Sequence, residues 1–559
     1  MKYTLLMTLL APALLAGCNL EKKEEPFQAR HIRAGYDAGQ VCQQLRQGWQ
    51  EDGIAIPASQ VSCHYLTVPL DYDKEWVQIK ETKWEKRSAA RAGSSLFADN
   101  SPRFSSWSDK PVRPHVKQET RTVKGDTLDI FYLHYRASGD YRGTLFYNPG
   151  GPTSATPDLG LLLGLLRSAN PAILEHYDIV TLDPRGAGYS ALGHELRSCL
   201  LTDKQGVRPD MSPAQLAQLF ASRDKGALPA LQSGADQGKA FSTTLLERCD
   251  EPLRLHAPHL GSRAVVEDME RLRQHLGRER ITPITFSYGT RLAALYAARY
   301  PSHVANLVVD SPMSPAENRY PAIFRGDAEN ANRILAWRFG DQALQRSMAV
   351  TRQVRDNGRY VDNQGNVLDR ASWVAVLGDA ISGSQRDDQL AFWQQDDAGP
   401  LLARLADQAD DNPYQELQEM PFFSAIHCTD NSEPYGWQTL DPEDAAFQGA
   451  GALLLAKSFN TCADWPYPRQ PIASYGAGEI KLPDDARALV LGAEYDPNTP
   501  FAGARQMQAA FGSAARLVQV AQSNQHGQLS SSRCAQAALS TLLLGDAASL
   551  PAEQRCLAD

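Results

Sequence analysis

The sequence predicts an α/β protein with a mostly parallel central sheet and a helical cap insertion. Three observations carry that expectation. Short apolar runs recur along the chain, and each ends in a Gly-, Pro- or Asp-rich turn. Stretches with helical spacing separate them. The residues of chemical interest sit just past the ends of those runs, where open α/β sheets carry their working groups.

The runs follow in order. "GTLFYNPGGP" is a strand over 144–147 entering a Gly-Pro turn, and "YDIVTLDPRGAGYS" is a strand over 179–182 entering a Gly-rich loop. "ITPITFSYG", "VANLVVDSP" (307–310), "ARALVLGAEYDPNTP" (488–492) and "ARLVQVAQSNQHG" (517–520) repeat the pattern. Runs that are apolar throughout, rather than alternating, belong to strands buried on both faces. Residues 64–72, "HYLTVPLDY", read as an edge strand entering a turn. Residues 73–125 are polar with scattered tryptophans and read as an excursion from the core with short helices of its own. A helical segment spans about 191–258. A longer one, rich in Gln, Asp, Arg and Ala, spans 314–480 and reads as the cap. The core is thus expected in two parts, 36–313 and 481–559.

The chain has 559 residues, enough for a large core, with 43% hydrophobic and 22% charged residues as in ordinary globular proteins. A net charge of −9 argues against nucleic acid as the main partner. Residues 1–17 read as a lipoprotein signal peptide: Lys2 gives a positive start, 5–15 form a short apolar run, and Leu15-Ala16-Gly17-Cys18 resembles a lipobox. The expectation is lipidation of Cys18, a tether over 18–35, and a chain anchored to the bacterial cell envelope, facing the periplasm. Asn19 resembles outer-membrane sorting. Of nine cysteines, setting Cys18 aside leaves Cys42, Cys63, Cys199, Cys249, Cys428, Cys462, Cys534 and Cys556. In an oxidising compartment these can form disulfides, with neighbours pairing in order as the simplest arrangement. No cysteine has metal-site spacing, and "HAPH" at 256–259 lacks a third ligand, so neither metal nor cofactor is expected.

Serine hydrolysis needs a nucleophile, an imidazole to take its proton, a carboxylate to orient the imidazole, and backbone donors for the oxyanion. Ser287 follows one strand, Asp496 another, and His526 the last, in the order Ser, Asp, His. Glu494 is a rival carboxylate beside Asp496. In "TFSYG", Thr285 stands where the G-x-S-x-G elbow has glycine, whereas Gly289 meets the need for a small residue on the helix side. "NPGGP" at 148–152 offers the oxyanion donors: the N–H groups of Gly151 and Tyr288, with Gly150 the alternative to Gly151. "DPRGAGYS" lacks a third glycine at nucleotide-binding spacing and reads as a structural loop near the site.

Taken together and in order, "VPLDY", "NPGGP", "LDPRGAGYS", "SYGT", "DPNTP" and "QHGQLSSSRCA" resemble the prolyl aminopeptidase/tripeptidyl aminopeptidase family of α/β-hydrolases. The likeness spans residues 36–72 and 126–559, including the family's C-terminal region. It implies an α/β-hydrolase fold and a serine exopeptidase. Such an enzyme would release single residues, often proline-linked, or di- and tripeptides from free N-termini through an acyl-enzyme. Ser287, Asp496 and His526 fall on the family's triad positions, and "AIHCTD" and "CADWP" imply a Cys428–Cys462 bond. The chain departs from the pattern at Thr285, in "NPGGPTSA", which lacks further glycines, and in the 73–125 insertion. An exopeptidase must meet a free ammonium with a carboxylate, and Asp430 and Glu433 are the candidates. Two alternatives stand beside this reading: an esterase or lipase on the same fold, and a non-catalytic envelope binding protein.

Overall fold

Strands form where β-branched and aromatic residues cluster between turns. In this computed structural model, which describes residues 29–84, 116–200, 243–383, 387–407, 413–435, 440–441, 443–457 and 462–559, the strands in the first half of the chain are β1 (His31–Ile32), β2 (Val61–Pro69), β3 (Trp76–Trp84), β4 (Val116–Lys124), β5 (Thr127–Tyr135), β6 (Gly143–Asn148) and β7 (Tyr177–Leu182). Then come β8 (Thr282–Phe286), β9 (Leu307–Asp310), β10 (Arg359–Val361), β11 (Val367–Asp369), β12 (Ala488–Ala493), β13 (Ala515–Ala521) and β14 (Glu553–Leu557).

The chain divides into two units. The described part of the smaller one is an antiparallel hairpin arm, β3 against β4, pairing Trp76 with Lys124 through to Trp84 with Val116. These flanks of 73–125 are strands where short helices were expected; residues 85–115 lie outside the described residues. The stretches "WVQIKETKW" and "VKQETRTVK" are polar overall, yet Val77 with Ile79 and Thr120 with Thr122 stand two apart, a spacing that suits a strand.

The larger unit holds a ten-stranded sheet in the order β1-β5-β7-β6-β8-β9-β12-β13-β14, with β2 also paired to β5. From β7 to β14 all neighbours are parallel. The chain order reverses between β6 and β8, so the loops leaving their carboxyl ends diverge and open a crevice. Successive residues of each central strand face opposite sides. In β12, Ala488 and Val490 join one apolar cluster, while Leu489 and Leu491 join the other. That is why these runs are apolar throughout.

Two expectations change. The tether does not extend to residue 35: His31 and Ile32 pair with Thr127 and Leu128, and the His31 ring bonds Thr127 Oγ1 at 2.9 Å. Beside β2, which falls on the edge strand expected over 64–72, an unexpected strand β5 and a parallel edge strand β14 join the core. In the segment 191–258, helices Gly193–Ser198 and Asp250–His256 are described; residues 201–242 lie outside the described residues, as do the signal peptide, Cys18 and residues 85–115.

Between β9 and β12 the chain is mainly helical and has an apolar cluster of its own around Trp373, Phe392, Trp393 and Ile334. No described helix is long and apolar enough to cross a membrane. The disulfides are Cys42–Cys63, Cys199–Cys249, Cys428–Cys462 and Cys534–Cys556, pairing neighbours in order.

Candidate active site

The end of β8 makes the sharpest turn of the site. Ser287 has φ +51°, a left-handed conformation that costs a non-glycine residue about 1–3 kcal/mol. The chain then enters helix Gly289–Arg299. Thr285 stands where glycine is usual, and its buried hydroxyl is satisfied by donating to the Val308 carbonyl of β9 at 3.2 Å. The close approach falls on the other side: a Cβ at Gly289 would lie 2.5 Å from Asn148 Oδ1.

Asp496, fully buried, follows β12. Its Oδ1 accepts the N–H groups of Asn498 and Thr499 at 2.9 and 3.0 Å, and its Oδ2 accepts the Thr499 hydroxyl at 3.1 Å. His526 Nδ1 lies 3.0 Å from both Asp496 oxygens. The His526 side chain is 27% exposed and that of Asp496 1%. Burial alone would lower the imidazole pKa. The hydrogen bond and charge of Asp496, with the charge of Asp310, outweigh it and hold the pKa above its ordinary value. The rival Glu494 is spent elsewhere, accepting the Gln522 N–H at 3.1 Å.

The elbow and the histidine loop hang from the same two residues at the end of β9. The Ser287 N–H donates to the Asp310 carbonyl at 3.1 Å. The Gly527 N–H donates to Ser311 Oγ, and that of Gln528 to Asp310 Oδ1, both at 2.8 Å. No hydrogen bond joins the Ser287 hydroxyl to His526 here; catalytic hydrogen bonds are often loose in a ligand-free site and tighten with substrate.

The loop after β6 packs onto the elbow. A Cβ at Gly150 would lie 2.7 Å from the Phe286 carbonyl and 2.9 Å from Ser287 Cβ, and φ is +103° there, so glycine is required. The Gly150 N–H already donates to Asn148 Oδ1 at 3.0 Å. Gly150, the alternative oxyanion donor to Gly151, therefore has its N–H already engaged. The next residues are clamped by buried Asp183, which accepts the N–H groups of Ala155 and Thr156 at 2.9 Å and that of Tyr189 at 2.8 Å. "DPRGAGYS" is therefore the loop that braces the segment after "NPGGP". Its Arg185 is buried, forks onto Asp268 at 2.6 and 2.8 Å and donates to the carbonyls of Pro69 and Leu70, while Tyr72 of "VPLDY" donates its hydroxyl to the same Asp268 at 2.7 Å.

The ammonium candidates fare differently. Asp430 is buried, and burial pushes its carboxyl up to about 6. Its oxygens accept the Ser262 N–H at 2.8 Å and the Ser262 hydroxyl, which also bonds Tyr288 Oη at 2.5 Å. Asp430 thus braces Tyr288 and does not face solvent. Glu433 is exposed, and Arg469 bonds its backbone carbonyl at 3.2 Å. Sequence reasoning missed Glu419, an exposed cap residue whose Oε1 accepts the Thr153 hydroxyl at 3.0 Å, two residues past Gly151. A cavity of about 500 Å³ adjoins the Asp496 loop, but its lining of Met313, Asn330, Asn498 and Thr499 among others does not include Ser287 or His526.

Comparison with known proteins agrees with this geometry. A tripeptidyl aminopeptidase of Streptomyces coelicolor is 25% identical over 417 residues, covering 69% of this chain and 71% of that one. The serine protease Hip1 of Mycobacterium tuberculosis is 25% identical over 414 residues, covering 67% and 74%. A carboxylesterase B of the same species is 26% identical over 413 residues, covering 67% and 73%. The family model described as the alpha/beta hydrolase fold matches residues 143–531, and the chain belongs to that family.

Proposed function

We propose that this protein is a serine aminopeptidase that cleaves short pieces from free N-termini through an acyl-enzyme. The observation that carries the reading is the Asp496–His526 pair at 3.0 Å, tied through Asp310 and Ser311 to the strained Ser287 elbow. In this reading Ser287 Oγ attacks the scissile carbonyl while His526 takes its proton. The N–H groups of Gly151 and Tyr288 receive the oxyanion, and His526 then protonates the leaving amine. Water hydrolyses the ester by the reverse proton path. Two of the relatives, by name a tripeptidyl aminopeptidase and a serine protease, support a peptide substrate. Glu419, beside the oxyanion loop, supplies a carboxylate for the substrate ammonium.

An ester substrate is the second reading, favoured by the relative named carboxylesterase B. A panel of free tripeptidyl amides, their N-blocked forms and short-chain esters separates the two. The aminopeptidase reading expects cleavage of the free amines, little of the blocked forms, and none by Ser287→Ala. Cleavage of esters alone would overturn the peptidase reading. Lipidation at Cys18 and envelope anchoring belong to the same proposal. Cys18→Ser is expected to move the protein from the membrane to the soluble fraction.

A further inference from the structure

We propose that Asp310 is a positioning residue of this site: its carboxylate fixes the loop that carries His526 and adds a second negative charge to the one Asp496 gives the imidazole. The inference rests on the serine-hydrolase reading above, in which Asp310 appears only as a structural tie.

The geometry is specific. Asp310 ends β9 and is fully buried. Both its oxygens are used by the histidine loop, Oδ1 accepting the Gln528 N–H and Oδ2 the Leu529 N–H, each at 2.8 Å. These donors lie two and three residues past His526. Ser311, held at φ +51°, turns its hydroxyl to accept the Gly527 N–H at 2.8 Å. Three consecutive N–H groups after His526 therefore end on Asp310 and Ser311. The Asp310 carbonyl meanwhile accepts the Ser287 N–H. One dipeptide thus sets the elbow and the base in a common frame.

The charge matters as well as the shape. The ionisable groups acting on Asp310 are His526 and Asp496, and no described Arg or Lys forms an ion pair with it. A carboxylate kept in a dry site without a cation is costly unless something there uses the charge. Burial pushes its pKa up to about 6, with the two N–H bonds and the His526 charge pulling the other way. When Ser287 Oγ attacks, its proton passes to His526 and an imidazolium forms. Asp496 stabilises that cation directly, and Asp310 adds to it through space. The proton then leaves with the amine, and neither carboxylate changes its protonation.

The test is the pH dependence of Ser287 modification by a fluorophosphonate on the purified full chain. This reaction needs the nucleophile and base but not peptide recognition. Fluoride leaves as the Ser287 Oγ–P bond forms. Asp310→Asn puts an amide N–H against a backbone N–H and removes the charge. It is expected to slow labelling at neutral pH about tenfold and to move the acid midpoint down by roughly half a unit to one unit. Ser311→Ala is expected to slow labelling and leave the midpoint in place, since it removes no charge. An Asp310→Asn midpoint equal to that of the wild type would overturn the inference. If Asp310→Asn does not fold, as judged by thermal melting, an unchanged labelling rate in Ser311→Ala overturns it. Failure of the wild type to label would instead overturn the serine-hydrolase reading, and this inference with it.

Discussion

The core side and the cap side of the site are built differently. On the core side, three buried aspartates at strand ends each gather backbone N–H groups: Asp183 behind the oxyanion loop, Asp310 behind the histidine loop, Asp496 under the histidine itself. On the cap side each tie runs through one side chain: Asn330 Nδ2 donates to the Asp496 carbonyl at 2.7 Å, Glu419 accepts the Thr153 hydroxyl at 3.0 Å, and Asp430 accepts one backbone N–H, that of Ser262, at 2.8 Å. Backbone groups held by buried charge have one geometry, and losing the charge strands several donors at once. The cap packs around its own apolar cluster. The difference teaches that the core sets the chemistry, while the cap can set which molecules reach it.

Substitutions on the two sides sharpen that contrast. Ser287→Ala is expected to lower kcat by roughly 10⁵-fold or more, with the fold intact by circular dichroism. Asp496→Asn, which unseats the His526 tautomer, should lower kcat about 10³- to 10⁴-fold at neutral pH. The pH profile carries a sign. Catalysis needs neutral His526, whose pKa is raised, so kcat/KM should fall as pH drops through a midpoint above about 6.5, the ordinary imidazole value. Weakening the Asp496 interaction moves that midpoint down; an unmoved midpoint would place the controlling group elsewhere.

Arg185→Ala tests the frame rather than the chemistry. It leaves Asp268 buried and unpaired, and a loss of roughly 3–5 kcal/mol in denaturant unfolding is expected. Glu419→Gln on the cap side should have the smallest effect. We expect KM for free-amine peptides to rise about threefold to fivefold, with kcat and the N-blocked substrates unchanged. A fall in kcat at this position would break the contrast between core and cap.

Much of the core could be read from the chain because buried parallel strands leave continuous apolar runs, and the candidates Ser287, Asp496 and His526 could be named because they follow those runs in order. What was missed depends on partners distant in sequence. β14 is an edge strand with alternate residues exposed, so "EQRCL" carries no apolar run. β5 includes Asp129 and His134, which dilute its pattern; His134 is satisfied by Asp178 at 3.0 Å, far along the chain. Asp310 in "VVDSP" looks like any acid at a turn until the loop after His526 folds onto it. Asp430 was named for an ammonium because its burial under Ser262 and Tyr288 leaves no local mark. Glu419 lies in a cap helix where no spacing sets it apart.

The most direct test of the account is the site of covalent modification. The purified chain would be treated with a fluorophosphonate, digested and mapped by mass spectrometry, beside His526→Ala. The account predicts one adduct, on Ser287, strongly reduced when His526 is replaced. An adduct on another serine, or labelling of Ser287 that does not depend on His526, would contradict it.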